Sequence, residues 1–141
     1  MKPILFNVFL SIFAGIAFNS YAGKEDPATP EEIAASRKMS MSLKDKAISL
    51  GTYAKQNGYD TSTCFVVNMN PASGAYRFYI FDLISKKFTD SGLVAHGRCN
   101  EVFLKGRKYG NDMGCGCTSL GRYKIGEKYS GKWGASYRLY G

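Results

Sequence analysis

Hydrophobic and polar positions divide the chain into three regimes. Residues 3–18 contain Ile4, Leu5, Phe6, Val8, Phe9, Leu10, Ile12 and Phe13 and no charge. Between residues 33 and 57 apolar residues recur at helical spacing, with Leu43, Ala47, Leu50 and Ala54 on one stripe and Ile48 beside it. Thr29-Pro30-Glu31-Glu32 supplies the start: Thr29 caps, Pro30 suits the first helical position, and Glu32 reaches back to the cap. Asn57-Gly58 supplies the stop, and Ser40 with Ser42 offers a point at which the segment divides into two helices.

After Gly58 the pattern becomes extended. Cys64-Phe65-Val66-Val67-Asn68-Met69 reads as a buried strand, residues 70–74 as a turn, residues 76–83 as a second strand and residues 88–97 as a third. Each connection is too short for a parallel crossover, so the three form an antiparallel meander. Val102-Phe103-Leu104 makes a brief further segment. Residues 105–117 form a loop, residues 119–127 a strand, residues 129–134 a hairpin turn, and residues 137–140 a last strand. The fold class is α+β: N-terminal helices followed by a mainly antiparallel β-sheet or sandwich, with a strand pattern that looks unfinished at Gly141.

The first regime changes the address of the protein. Lys2 precedes the apolar run, Ser20-Tyr21-Ala22 offers small residues for cleavage, and Lys24-Glu25-Asp26 restores polarity. Residues 1–22 therefore read as a cleaved export signal. The run falls short of the roughly 20 residues that span a bilayer, and no lipidation cysteine follows Ala22, so no stable membrane anchor is expected after cleavage. Residues 23–29 become a flexible tether, 30–58 the helical segment and 63–141 the β-rich domain, in a periplasmic or cell-envelope setting.

The formal net charge is +8, spread over residues such as Lys86, Lys87, Arg98, Arg107, Lys108, Arg122 and Arg138. In an exported protein such a field favours anionic wall polymers, lipid head groups or acidic peptide stems. Nucleic acid is set aside, because no recognition motif or basic helix accompanies the charge. The aromatic residues of the second half sit at strand spacing, which makes sheet packing the default and a sugar-stacking platform the second reading.

Four cysteines, Cys64, Cys99, Cys115 and Cys117, suggest a disulfide framework. A bridge between Cys115 and Cys117 is strained by their spacing, so Cys99 paired with one of them is preferred. It closes a loop of about 15 to 18 residues and contributes roughly 3 kcal/mol. Two rivals use the same residues. His96 with Cys99, Cys115 and Cys117 has the composition of a structural zinc set, although an oxidising compartment favours disulfides. His96 could also serve one of these cysteines as a base. No cofactor or metal is assigned.

Val94-Ala95-His96-Gly97, the glycine-rich loop over residues 110–117 and Ser119-Leu120-Gly121-Arg122-Tyr123, taken in order with Tyr79-Ile80-Phe81-Asp82-Leu83 and residues 129–141, resemble the murein L,D-transpeptidase catalytic-domain family, the YkuD type. The resemblance covers residues 64–141 and implies a β-rich envelope domain acting on peptidoglycan peptide stems through a cysteine thioester. In that family the nucleophile lies in an S-x-G-C type motif with a paired H-G, both beyond the strand that here ends near Tyr140. The resemblance thus implies a partial domain, inactive without those motifs. His96 matches the upstream V-A-H-G element rather than the catalytic histidine, and Cys115 and Cys117 precede the nucleophile's place. No catalytic residue is carried over. His96, Ser119 and Tyr123 are kept as candidates for lining a groove. The alternative expectation is a disulfide-stapled, non-catalytic envelope protein that binds peptidoglycan or another anionic polymer.

Overall fold

Thr29 opens α1 (Pro30–Gln56) through a complete capping box, its hydroxyl accepting from the Glu32 N–H at 3.3 Å while the Glu32 carboxylate accepts the Thr29 N–H at 2.8 Å. The second bond holds the Glu32 carboxyl below its usual range. The computed structural model describes residues 5–9, 29–103, 106–132 and 134–141; the readings of a cleavage site at Ala22, a tether over residues 23–28, Leu104 and Trp133 lie outside them. Helix α1 runs through Ser40 and Ser42 without interruption: Ser40 is exposed, Ser42 is half-buried, and neither belongs to the buried stripe. That stripe is Leu43, Ala47, Leu50 and Ala54, as the periodicity requires.

The strands are β1 (Leu5–Phe9), β2 (Thr63–Asn68), β3 (Phe78–Asp82), β4 (Lys87–Gly92), β5 (Gly121–Gly131) and β6 (Gly134–Tyr140). They form one sheet in the order β4-β3-β2-β1-β5-β6. The meander β2-β3-β4 is antiparallel throughout, as is the β5-β6 hairpin. Strand β1 joins the two groups, parallel to β2 (Leu5 opposite Cys64) and antiparallel to β5 (Leu5 opposite Lys124). The parallel pair is allowed because the connection between β1 and β2 contains α1, long enough for a crossover. The segment read as an export signal thus supplies an interior strand here.

Alternation along β2 sorts the core onto two faces. Cys64 and Val66 point to α1 and pack with Leu5, Phe81 and the helical stripe; Tyr53, Tyr59, Tyr79, Leu83 and Phe88 close that cluster. Burial there raises the Tyr79 hydroxyl above its usual range. Val67 and the following Met69 face the other way, against Phe78, Val94, Tyr109, Leu120 and Tyr123. The helix covers one face, and segments of residues 93–120 cover part of the other. The third strand ends earlier than the hydropathy implied: β4 stops at Gly92, whose carbonyl accepts the Arg77 N–H at 2.9 Å, and residues 93–98 leave the sheet to cross the second face.

Candidate functional site

The crossing loop is held by close backbone approach. Gly97 donates to the Thr118 hydroxyl oxygen at 2.7 Å, Cys99 N–H to the Gly116 carbonyl at 2.9 Å, and Gly110 N–H to the Thr118 carbonyl at 3.2 Å. A methyl group on Gly97 would stand 2.5 Å from the Thr118 nitrogen and 2.6 Å from the Cys117 carbonyl carbon, so only glycine lets these strands of backbone meet. The Cys99–Cys117 disulfide staples the same crossing. Asn111 clamps the next turn from both sides, donating to the Leu120 carbonyl and accepting its N–H, each at 2.9 Å. Asn100, in the left-handed region at φ 59°, adds a bond from its side-chain amide to the Gly114 carbonyl at 2.8 Å.

Beside this crossing sit two arginines that sequence reasoning did not single out. Arg77 is fully buried and donates to the carbonyls of Pro71 (2.9 Å) and Val94 (3.4 Å) and to Ser73 Oγ (3.2 Å). Arg107 arrives from the loop and donates to the carbonyls of Met69, Asn70 (2.8 Å) and Pro71 (3.0 Å). The two guanidinium groups therefore share the Pro71 carbonyl. Burial, and then the charge of Arg107, lower the pKa of Arg77. Among the described residues no carboxylate forms an ion pair with either; the Glu101 carboxylate is held by Lys108 at 2.6 Å. The one sequence signal for Arg77 is a charge inside the apolar run of residues 76–83.

An open cavity of about 390 Å³ lies against this cluster, with Ser73, His96, Gly97, Arg98 and Arg107 in its lining and Val102 and Phe103 at its mouth. His96 is half-buried. Its Nδ1 lies 2.8 Å from the Gly97 carbonyl, which only accepts, so Nδ1 carries the proton. Nε2 is buried with no partner among the described residues, as is the hydroxyl of Tyr109, whose ring meets the imidazole edge-on at 5.1 Å. His96 thus lines a cavity. Tyr123 instead packs into the core cluster beneath, and Ser119 is half-buried in the lead-in to β5.

The cysteines separate by sheet face. Cys99 and Cys117 are paired, whereas Cys64 and Cys115 are free, which corrects the expectation that all four enter disulfides. Cys64 points under α1, its Sγ 3.8 Å from the Ala47 carbonyl, while the other three lie in the loop on the opposite side. Burial pushes the Cys64 thiol up to about 12. Cys115 Sγ lies 3.6 Å from the Gly110 carbonyl and accepts the Cys117 N–H at 3.3 Å. No cysteine is hydrogen-bonded to His96 among the described residues, and no group there could hold a metal ion; the zinc set is not assembled, since two of its thiols form the disulfide.

A second exposed feature lies on the terminal hairpin. Tyr129, Tyr137 and Tyr140 are 46, 55 and 45% exposed, which departs from the packing role expected of them. Arg138 stands over the Tyr129 ring at 5.4 Å and Lys124 over Tyr140 at 5.5 Å. The Tyr140 hydroxyl donates to Glu127 at 2.7 Å and thereby lowers that carboxyl's pKa.

Among the described residues no helix is long and apolar enough to cross a membrane. Compared with known proteins, residues 35–141 match the family model of the L,D-transpeptidase catalytic domain. No curated protein and no solved structure matches the chain.

Proposed function

The chain belongs to the L,D-transpeptidase catalytic-domain family, and from that membership we propose that it is an exported envelope protein that engages the peptide stems of peptidoglycan. The family match over residues 35–141 carries this reading. The basic surface adds to it, since wall polymers and their stems are anionic.

We further propose that residues 1–141 engage stems without cleaving them. Acyl transfer through a thioester needs a thiolate and a base within reach of it. Cys99 and Cys117 are joined to each other, Cys64 keeps its proton up to about pH 12 beneath a helix, and Cys115 has a carbonyl rather than an imidazole beside its sulfur. Purified chain incubated with wall fragments tests both statements. Retention on sedimented peptidoglycan with no change in the mass of the released stems is expected. Absence of retention at low salt would refute binding, and a new cross-link or released D-amino acid would refute inactivity.

A wall-binding reading centred elsewhere draws on the hairpin. Tyr129 and Tyr140, which share one face of the β5-β6 hairpin with Arg138 and Lys124, form an exposed aromatic and basic strip suited to glycan or anionic polymer. Tyr140→Ala combined with Tyr129→Ala distinguishes it: retention falls if the hairpin binds and is unchanged if the stems are held at the loop.

A further inference from the structure

We infer that the cavity beside the loop crossing is a carboxylate-binding site, built to take the free carboxylate of a short peptide. The inference rests on the stem-engaging reading for the source of the peptide, but not for the charge it recognises.

The argument begins with charge balance. Arg77 is completely buried and Arg107 shares its carbonyl acceptor, so two guanidinium groups stand within a few ångströms of one another. Arg77 is held by two carbonyls and the Ser73 hydroxyl and Arg107 by three carbonyls, with no ion-paired carboxylate among the described residues. Burial of charge without a counter-charge is unfavourable, and an anion placed next to such a pair gains more than it would in water. Among the described residues the lining of the cavity is likewise without a carboxylate: Ser73, His96, Gly97, Arg98 and Arg107 supply its polar surface.

The donors are also aimed. Ser73 Oγ accepts from Arg77 at 3.2 Å, which uses a lone pair of the hydroxyl and leaves its proton to donate elsewhere. Arg107 spends three bonds on the turn carbonyls and retains further N–H groups of its five. His96 is fixed by its Nδ1 bond to the Gly97 carbonyl and forms part of the wall. Arg98 lines the wall while its own guanidinium is held by the carbonyls of Glu101 (3.1 Å) and Val102. Val102 and Phe103, 92 and 84% exposed, present apolar surface at the rim for the aliphatic part of the same ligand. A cationic pocket with a free serine hydroxyl and spare guanidinium N–H groups beside an apolar rim fits a carboxylate on a short chain better than a bare inorganic ion.

The test titrates the full chain with N-acetyl-alanyl-alanine, with the C-terminal amide of the same peptide, and with inorganic phosphate, following amide chemical shifts at low salt. The acid should bind saturably at least about tenfold more tightly than the amide, which lacks the charge-assisted hydrogen bonds. Shifts should centre on residues 73, 96–98 and 107, and should weaken as salt rises. Ser73→Ala should weaken acid binding about threefold to tenfold and leave amide binding unchanged. Arg107→Gln should weaken it more, but it also strips the turn carbonyls of their donor, so Ser73→Ala carries the test if it fails to fold. Equal binding of acid and amide, shifts confined to the β5-β6 hairpin, or phosphate binding tighter than the acid would each overturn the assignment. Failure here leaves wall retention untouched, and loss of wall retention with intact acid binding sinks only the stem-engaging reading.

Discussion

Replacing Gly97 with alanine probes the loop crossing at its tightest point. The added methyl would lie 2.5 Å from the Thr118 nitrogen, 2.6 Å from the Cys117 carbonyl carbon and 2.7 Å from the Gly116 carbonyl oxygen. All three are backbone atoms, and Cys117 is tethered by its disulfide, so no flexible side-chain end yields to the new atom. Overpacking of this kind costs about 1–3 kcal/mol. Separation of the two segments also weakens the bond from Gly97 N–H to Thr118 Oγ1 and that from Cys99 N–H to Gly116, each worth about 1 kcal/mol. A loss of about 2–4 kcal/mol is expected, a large part of the stability of an ordinary domain. Urea denaturation measures it, with Gly74→Ala as the control, since a methyl there meets nothing within 4 Å. Hydrogen exchange at Cys99 N–H shows whether the loss is local to the crossing or global. If Gly97→Ala lies within about 0.5 kcal/mol of the control and Cys99 keeps its protection, the crossing does not hold the loop as described.

Other expectations concern the helix face and the first strand. Leu50→Ala removes a side chain 2% exposed at the centre of the helical stripe and should cost about 2–5 kcal/mol in the same denaturation assay, whereas alanine at exposed Met41 should be nearly neutral. The unfolded Cys64 thiol ionises near its ordinary value of 9.0, whereas the folded one is held protonated to about 12, so the unfolded state releases its proton first. Stability should accordingly be full below pH 9 and fall as pH rises from 9 towards 12, and Cys64→Ala should flatten that decline when the two chains are titrated together. Deleting residues 1–22 removes β1 and leaves β2 and β5 without their shared partner. The shortened chain should show lower stability and a tendency to self-associate through the opened edges, read by size-exclusion chromatography; a monomer of unchanged stability would show that β1 contributes nothing to the sheet.

Local signals carried much of the fold. The buried stripe of α1, its capping box and the first three β-strands after it follow from spacing and from residues within a turn of one another, where physical chemistry acts over short range. The disulfide between Cys99 and one of the CxC pair follows from the same kind of reasoning, because ring strain disfavours the nearer pairing. Family resemblance read in the motifs of residues 79–126 agrees with the matched domain.

Tertiary structure alone decided the rest. Cys64 leaves the disulfide framework because strand alternation sends its side chain beneath the helix, away from the three cysteines of the loop. Strand β1 enters the middle of the sheet because an apolar segment satisfies its backbone between two unpaired edges, and an export signal and an interior strand are written in the same residues. His96 lines the cavity because β4 ends at Gly92 and the chain then crosses the second face, whereas Tyr123, from β5, packs against the cluster of Val67 and Met69. Arg77 and Arg107, 30 positions apart in the numbering, meet at one carbonyl only when the turn of residues 69–73 is folded beneath the loop. Sequence spacing determines what each segment is; which segments share a face, and so which charges accumulate in one place, depends on contacts between residues that the chain order keeps apart.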